Sequence, residues 1–331
     1  MPNAVIVEAC RTPIGKKDGW LRGIRPDDLL AVVLNALVER SGIPPAQIDD
    51  VIAGCVTQTG EQGVNVARNA VLAAGLPLSI PGTSVNRLCG SSQQAVSFAA
   101  QAVMSGMNDI VVGAGTESMT RVPMGSDVTT FSEKLTERYE MIPQGLSAEL
   151  IAEKWGLTRQ DLDRFSYESH RKALHAQQEG RFKKEIVPVE AKEGERVVAV
   201  VSKDEGPRAD TSVEKMATLR PVFKPDGVIT AASSSQISDG AAGLLVMSEA
   251  AAKRLDLKPR ARFVAMAAVG VDPTLMLTGP IPATRKVLEK AGLELSDIDL
   301  FEVNEAFASV VLAWQKELGA DPAKVNVNGG A

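Results

Sequence analysis

The N-terminal part of the chain alternates between short apolar runs and longer stretches with apolar residues at helical spacing. Residues 4–9 (AVIVEA) predict a buried strand, and residues 27–40 (DDLLAVVLNALVER) predict an amphipathic helix behind an acidic first turn. The pattern then predicts strands at 51–53, 83–85 and 109–113, and helices at 63–74 and 91–104. Strands that alternate with helices predict an α/β fold with a mostly parallel, helix-covered sheet.

The same alternation returns near the other end of the chain, with strands predicted at 262–268 and 300–303 and a helix at 283–291. Residues 41–54 (SGIPPAQIDDVIAG) match residues 291–304 (AGLELSDIDLFEVN) in a glycine, an aliphatic position and an Ile-Asp pair. Each segment has the pattern of a helix end, a glycine cap, a turn and a strand. This favours a duplicated fold, although two unrelated helix-to-strand turns could share so short a pattern.

Residues 119–237 are richer in charge and turn residues and lack this alternation, which predicts an inserted loop domain. The predicted division is therefore 1–118 with 238–258 as an N-terminal core half, 119–237 as the insert, and 259–331 as a C-terminal core half. The insert holds one long predicted helix, 159–179. Thr158 is its N-cap, Asp161 completes a capping box, and Gly180 follows its end.

Composition narrows the range of partners and compartments. A net charge of -5 and a pI near 5.4 argue against nucleic acid as a partner. The sequence contains no apolar run long enough to span a membrane and no signal-peptide pattern at Met1. The cysteines Cys10, Cys55 and Cys89 are odd in number and lack metal-type spacing, so we expect reduced thiols, a cytoplasmic location and no metal site.

Cys89 is the strongest candidate for chemistry. It lies in SVNRLCGSSQQ, where a short extended piece ends and a helix begins near Ser91. A reactive side chain in a sharp turn between a strand and a helix is the arrangement of an exposed nucleophile. The small residues Gly90, Ser91 and Ser92 leave room for a substrate, and the amides of the first helical turn can stabilise negative charge. A buried structural cysteine is the commoner role for a lone Cys, so the turn alone leaves both interpretations open.

The chain resembles the thiolase family along its whole length. The resemblance is carried, in order, by EACRTPIGKKDGWL (8–21), GCVTQTGEQGVNVAR (54–68), NRLCGSS (86–92), GAGTESMT (113–120), SDGAAGLLVMSE (238–249), GPIPATRKVLEKAGL (279–293), FEVNEAF (301–307) and VNVNGGA (325–331). It implies a duplicated mixed sheet with helices in αβαβα layers, of which the second half is incomplete here. It also implies acyl transfer between 3-ketoacyl-CoA and CoA through a cysteine acyl-enzyme, in fatty acid metabolism.

The resemblance assigns roles to individual residues. Cys89 would take up the acyl group, its backbone amide would serve one oxyanion hole, and Asn304 would position a water in another. Arg208 would lie near the nucleotide end of CoA, with Ser235, Met276 and Phe307 along the pantetheine arm. Met276 as plain core and Arg208 as a solvated charge are the simpler alternatives. The family implies a homodimer or homotetramer and no cofactor, since CoA is a substrate.

The sequence departs from the family pattern at its C-terminal end. It ends at Ala331, before the Gly-His-Pro and Cys-x-Gly segments that supply the catalytic histidine and the acid-base cysteine. His170 and His175 lie about 140° apart on one predicted helix at ~100° per residue and do not converge on a partner. We therefore expect a fragment of a longer protein with negligible turnover of its own. The alternative is a truncated, inert thiolase-like CoA-binding protein.

Two further comparisons refine the functional class. A decarboxylating ketoacyl synthase of the same superfamily would need two histidines in the second half, and the sequence from Arg262 onward has none. The acetoacetyl-specific branch carries a His-Met pair before a glycine in the inserted domain, whereas this chain has Pro143-Gln144-Gly145 at the matching place. The sequence thus favours a broader 3-ketoacyl-CoA thiolase.

Overall fold

A computed structural model describes residues 2–128, 130–194 and 196–330, which form two compact units. Unit 1 consists of the described residues of 2–128, 182–206 and 236–263, and unit 2 of 130–181, 207–235 and 264–330. The segment 119–237 contributes to both units. The three-part division into 1–118 with 238–258, 119–237 and 259–331 stays a prediction.

The described residues contain strands and helices whose bounds agree closely with most of the sequence predictions. The strands are β1 (Ala4–Arg11), β2 (Gly15–Lys16), β3 (Asp50–Gly54), β4 (Gly82–Val85), β5 (Ile110–Ser118), β6 (Val189–Glu193), β7 (Arg196–Val201), β8 (Ser238–Ser248) and β9 (Ala261–Arg262). The helices are α1 (Pro26–Ser41), α2 (Val66–Ala73), α3 (Ser91–Ser105), α4 (Glu133–Thr136), α5 (Gln144–Lys154), α6 (Arg159–Gln178), α7 (Val213–Ala217), α8 (Glu249–Arg254), α9 (Pro280–Ala291) and α10 (Ala308–Leu318).

Unit 1 is built on one mixed sheet with the strand order β4-β3-β5-β8-β1-β9, and β2 pairs with β8. β3 is parallel to β4 and β5, but β8 runs antiparallel to both β5 and β1. The mixed sheet is confirmed, whereas the expectation of a mostly parallel one is wrong. The reason is that β8 enters the sheet after the long excursion of 119–237. No short helical crossover dictates its direction.

Helices cover both faces of this sheet. Side chains alternate between the faces of a strand, so Gly113 of β5 and Gly243, whose neighbour in register is Ala114, face opposite sides. A Cβ atom at Gly243 would touch Val33 and Leu37 of α1, and one at Gly113 would touch Val96 of α3. The sheet is therefore sandwiched between α1 and α3. The predicted α/β architecture, with a sheet between helical layers, is confirmed for this unit.

α1 shows why these residues form a helix and where it stops. Pro26 occupies the first turn, where its missing N–H costs nothing, and Asp27 and Asp28 place negative charge at the positive end of the helix dipole. The buried face, which packs against the sheet, consists of Leu29, Leu30, Val33, Leu34 and Leu37. Gly42 then ends the helix in the left-handed region at φ +70°.

The regular elements of unit 2 are helices within its described residues. The capping box predicted for the long helix α6 is confirmed. The Thr158 hydroxyl accepts from the Asp161 N–H at 3.2 Å, and Asp161 accepts from the Thr158 N–H at 2.9 Å. α10 is central to the packing of this unit, and its Trp314 is buried between α9, residues 301–303 and the segment 320–325.

The strands predicted at 262–268 and 300–303 are wrong in extent. β9 ends at Arg262, and the described residues 264–330 contain no strand beyond isolated bridges, one of which joins Phe301 to Val325. A strand persists only where a neighbour receives its backbone hydrogen bonds residue after residue. Phe301 has such a neighbour at one position, while Val264 and Leu300 remain largely exposed.

Candidate active site

The turn that carries Cys89 is fixed by short-range hydrogen bonds. β4 ends at Val85, α3 begins at Ser91, and Leu88 between them has φ +47°, a conformation that a branched side chain rarely adopts. The Ser91 hydroxyl donates to the Leu88 carbonyl at 2.6 Å and accepts from the Arg87 N–H at 2.8 Å. Cys89 follows Leu88 and is exposed at the start of α3, as the sequence predicted.

Two glycines let α3 approach the sheet directly beneath this turn. A Cβ atom at Gly54 would overlap the backbone of Ser91 and Ser92, and one at Gly115 would overlap the Ser92 hydroxyl. Neither position could hold a side chain without moving the helix. The N-terminus of α3 is thereby fixed on strands β3 and β5.

The three thiols differ in exposure and in pKa. Cys10 and Cys55 are buried. Burial is the main cause that raises the pKa of Cys10 to about 11, and it raises the pKa of Cys55 further, with help from the Glu117 carboxylate. Partial burial of its sulfur and the charge of Glu117 also raise the pKa of Cys89, while a backbone hydrogen bond at Cys89 acts in the opposite direction. Cys89 is accordingly the accessible thiol, but its surroundings in unit 1 do not make it acidic.

Asn304 lies in unit 2, in the loop between residues 301 and 307. The side-chain amide of Asn326 holds this loop, because it accepts from the Val303 N–H at 2.8 Å and donates to the Val303 carbonyl at 2.9 Å and the Glu305 carboxylate at 2.8 Å. Asn304 sits between these two anchored residues and is itself exposed. A clamped backbone beneath an exposed amide is a suitable geometry for a residue that holds a water molecule.

Two carboxylates flank Asn304. Glu305 is mostly buried, accepts from the Ser169 hydroxyl of α6 at 2.7 Å, and has a raised pKa because of burial. Burial, together with the charge of Glu305, raises the pKa of Glu302 to about 7. Gly330 fits closely here, since a Cβ atom at that position would overlap the Glu305 carboxylate. Glu305 thus joins the Asn304 loop, α6 and the segment 326–330.

The proposed CoA residues all lie in unit 2, and three of them lie around one apolar cluster. Phe307 is buried there and packs edge-to-face on Phe223 at 5.8 Å between ring centroids. The Ser235 N–H donates to the Ala306 carbonyl at 2.9 Å, which places Ser235 on the strand-like segment next to Phe307. Met276 is half-buried and precedes Leu277, which packs on the same cluster.

Arg208 and the two histidines lie at α6. The Arg208 N–H donates to Nδ1 of His170 at 3.3 Å, and the Arg208 side chain is exposed. Burial and the neighbouring charge of Arg208 lower the pKa of His170. His175 points into solvent and pairs with Glu179 at 3.0 Å. The two histidines therefore have separate partners, in agreement with their placement from sequence.

The sequence predicted the cysteine turn but not the side chains that support the site. Asn86, Glu117 and Glu305 each lie in a segment that carries the family resemblance, yet none has a recognisable pattern of its own. Their partners lie 30, 61 and 136 positions away along the chain. The residues described by the structure hold no cluster of His, Cys, Asp and Glu that fits a metal ion, and no helix among them is long and apolar enough to cross a membrane.

Comparison with known proteins identifies the family. Residues 4–250 match the model of the thiolase N-terminal domain, and residues 257–331 match that of the thiolase C-terminal domain. The chain belongs to the thiolase family and is an acyltransferase that works by thiolysis on acyl-CoA and CoA. The thiolase fold predicted from sequence is confirmed.

Individual relatives agree with this assignment. A steroid 3-ketoacyl-CoA thiolase of Mycobacterium tuberculosis is 49% identical over 344 residues, an alignment that covers 100% of this chain and 83% of the relative. A 3-ketoacyl-CoA thiolase of Bacillus subtilis is 45% identical, with 100% and 88% covered. The crystal structure of the Bacillus anthracis acetyl-CoA acetyltransferase superposes with a TM-score of 0.92 at 41% identity and covers 100% of this chain and 86% of that one.

Proposed function

We propose that this thiolase cleaves 3-ketoacyl-CoA with Cys89 as its nucleophile. The observation that carries the proposal is the contrast among the three thiols. Cys10 and Cys55 are buried in the core of unit 1, whereas Cys89 is exposed in a turn held at the N-terminus of a helix. An acyl-enzyme needs a thiol that a bulky thioester can reach, and this requirement favours Cys89.

The proposed reaction has two half-reactions. The Cys89 thiolate attacks the 3-keto carbonyl, the bond between C2 and C3 of the substrate breaks, and the departing carbanion takes up a proton to become acetyl-CoA. The acyl group stays on sulfur as a thioester. The thiolate of a second CoA then attacks that thioester, which releases the shortened acyl-CoA and returns Cys89 to its free form. In the reverse direction the same steps condense two acyl-CoA molecules.

Two oxyanion holes would stabilise the negative charge of these steps. We assign one to the backbone amide of Cys89 at the start of α3 and the other to a water held by Asn304. For CoA we propose Arg208 at the nucleotide end and Ser235, Met276 and Phe307 along the pantetheine arm. Ser235, Met276 and Phe307 lie around one apolar cluster, which supports this assignment. Because Phe307 is buried, it suits the apolar wall of the pantetheine site better than a polar contact with CoA.

The proposed substrate range extends beyond acetoacetyl-CoA. Pro143-Gln144-Gly145 opens α5, and Gly145 packs so closely on the Phe223 ring that a Cβ atom would overlap it. Phe223 in turn contacts Phe307. The relatives from Mycobacterium tuberculosis and Bacillus subtilis, both named as 3-ketoacyl-CoA thiolases, point in the same direction. In a form extended through the Gly-His-Pro and Cys-x-Gly segments, a higher kcat/KM for a long 3-ketoacyl-CoA than for acetoacetyl-CoA would support the broader range, and the reverse order would refute it.

We further propose that the chain forms a homodimer or homotetramer in the cytoplasm, binds no nucleic acid and needs no cofactor besides its substrate CoA. The location rests on the three cysteines, whose odd number and lack of metal-type spacing suit reduced thiols in a reducing compartment.

Trapping the acyl-enzyme tests the nucleophile. The protein is mixed with a 3-ketoacyl-CoA, quenched in acid and digested, and the peptides are weighed. The peptide that contains residue 89 is expected to gain the mass of the acyl group. Cys89→Ser should abolish this gain, and the matched change Cys55→Ser should preserve it. An acyl group found on Cys10 or Cys55 instead would overturn the assignment.

A further inference from the structure

The carboxylate of Glu117 is engaged by the loop that follows β3. It accepts from the Val56 N–H at 2.7 Å, the Thr57 N–H at 3.2 Å and the Gln62 side-chain amide at 2.6 Å. Gln62 is fully buried, and its own carbonyl accepts from the Ser118 N–H at 2.7 Å. A carboxylate that receives several N–H bonds fixes the backbone around it, and such charge-assisted bonds are the stronger ones. The loop at Val56 is therefore anchored on β5.

A second side chain connects this loop to the nucleophile turn. The Asn86 side-chain amide donates to the Val56 carbonyl at 2.8 Å, and its carbonyl oxygen accepts from the Leu88 N–H at 2.8 Å. Hydrogen bonds thus run from Glu117 through Val56 and Asn86 to Leu88, the residue before Cys89. All of these residues belong to unit 1.

Leu88 is where such support is needed. At φ +47° its backbone is in the left-handed region, which is unfavourable for a residue with a Cβ atom. A strained conformation of this kind persists only where the surroundings hold it. Here Asn86 holds the Leu88 N–H and the Ser91 hydroxyl holds the Leu88 carbonyl. Because Leu88 directly precedes Cys89, its conformation sets the direction of the thiol.

We propose that Asn86 and Glu117 are positioning residues for the Cys89 nucleophile. Asn86 joins the strained turn to the loop after β3, and Glu117 anchors that loop to β5. Neither residue acts on the substrate, and both act through the backbone that presents the sulfur. The inference rests on the proposed role of Cys89.

The charge of Glu117 also acts on the pKa of Cys89, and this effect opposes the benefit of positioning. The two effects can therefore be measured separately. Among the described residues, Glu117 from β5 is the group whose charge acts on Cys89, and α3 carries no ionisable side chain. Burial and then Glu117 raise the pKa of Cys89. The carboxylate that holds the loop therefore also disfavours the thiolate, so its removal should loosen the turn and lower the thiol pKa together.

The test compares Asn86→Ala, Glu117→Gln and the control Glu61→Gln with the wild-type chain. Glu61 lies in the same loop but pairs with Arg25 and Arg121. Two reagents are used. Iodoacetamide reports the pH midpoint of Cys89 alkylation by peptide mass spectrometry. A haloacetyl-CoA label reports positioning, because a bound reagent needs the sulfur in line with its carbon, and small misplacements cost about five- to a hundredfold in rate.

Both variants are expected to lower the maximal rate of haloacetyl-CoA labelling by that factor, with the half-saturating concentration unchanged. Only Glu117→Gln should move the iodoacetamide midpoint to lower pH, and Glu61→Gln should change neither quantity. Cys10 and Cys55 serve as built-in folding probes, because at the pH at which Cys89 reacts they should become alkylated only if unit 1 opens. If Glu117→Gln makes Cys10 and Cys55 reactive, the labelling rate of Asn86→Ala alone tests the positioning role. Asn86 lies at the surface, so its replacement should leave unit 1 folded.

Labelling of Asn86→Ala at the wild-type rate would overturn the positioning role. An unshifted midpoint in a folded Glu117→Gln chain would overturn the opposing charge effect. Failure of the wild-type chain to be labelled at Cys89 is a different result. It would count against the proposed nucleophile itself, and the positioning inference would fall with it.

Discussion

At the scale of single residues, accessibility rather than acidity distinguishes Cys89. A free thiol with a pKa near 8.5 is only about 3% thiolate at pH 7. A helix N-terminus stabilises a charge by about 0.3–1 kcal/mol, less than the ~1.4 kcal/mol that shifts a pKa by one unit. Around Cys89, burial and Glu117 outweigh that help and raise the pKa. Efficient attack therefore requires a base to take the thiol proton when substrate is bound.

The pH dependence of alkylation follows from these directions. A raised pKa means that the thiolate is scarce at neutral pH and grows only as the pH rises through the shifted value. We expect the rate of Cys89 modification by iodoacetamide to rise with a midpoint above that of an ordinary thiol. Cys10, with a pKa of about 11, and the more strongly shifted Cys55 should react later. Mass spectrometry that finds Cys10 or Cys55 modified first would contradict this order.

Substitutions of Asn304 and Asn326 make a matched pair that separates an effect on catalysis from an effect on stability. Asn304 is exposed, so Asn304→Ala should change the free energy of unfolding by less than about 0.5 kcal/mol. In a form extended through the Gly-His-Pro and Cys-x-Gly segments, it should nevertheless lower the rate of 3-ketoacyl-CoA cleavage by about ten- to a thousandfold, as for the loss of one oxyanion donor. Asn326 is buried with three hydrogen bonds to the loop, and Asn326→Ala should destabilise the fold by about 1–3 kcal/mol. Unchanged cleavage by the Asn304 variant would make that residue structural.

At the scale of elements, the sequence predicted what local chemistry determines. The bounds of α1 follow from Pro26 and Gly42, and the start of α6 follows from Thr158 and Asp161. The direction of β8 and the absence of strands over 264–330 could not be predicted this way, because strand pairing depends on distant partners. The same limit applies to the site. The Cys89 turn is a local pattern, whereas Glu117 and Asn86 act through residues 61 and 30 positions away.

The α6 cap gives a prediction at this scale. Thr158→Ala should destabilise the protein by about 1 kcal/mol at neutral pH. Hydrogen bonds from Thr158 lower the pKa of Asp161, so the stability they add is present above the unfolded pKa of Asp161 and is lost as the pH falls through the lowered one. The difference in the free energy of unfolding between Thr158→Ala and the wild type should therefore become smaller in acid. Ser132→Ala is the control, because Ser132 caps α4 without a side-chain hydrogen bond. Urea unfolding at several pH values measures the free energy of unfolding of both variants. An equal loss of stability in Thr158→Ala and Ser132→Ala would contradict the role of Thr158 as the cap of α6.

At the scale of the whole molecule, the two predicted oxyanion sites belong to different units. Cys89 and the start of α3 are fixed on the sheet of unit 1, and Asn304 is clamped by Asn326 within unit 2. Each of the two predicted sites is thus held by hydrogen bonds or close packing within its own unit, and stabilisation by fixed dipoles requires such support. The segment 182–206 belongs to unit 1, and the three-part division predicted from sequence stays a prediction.

The edge of the unit 1 sheet leads to the last prediction. β4 ends the strand order, with β3 as its hydrogen-bonded neighbour among the described strands, and an exposed edge invites pairing with another chain. Val64 is 90% exposed beside this edge, since the side chain of the next residue, Asn65, donates to the Gly82 carbonyl at 2.8 Å. The exposed Val64 side chain beside this edge strand favours self-association through β4.

We therefore expect light scattering to give the wild-type chain a mass of at least twice 35.0 kDa, and Val64→Asp to reduce it towards 35.0 kDa. The added carboxylate would be buried without a partner in the assembly, which opposes association, but would remain solvated in the monomer. Asp also tolerates the φ of +52° that Val64 adopts, so the fold should be retained. Met107→Asp is the matched control, because Met107 is 85% exposed but lies beyond the opposite end of α3 from Cys89. An unchanged mass for Val64→Asp, or an equal loss for Met107→Asp, would exclude the β4 edge as the interface.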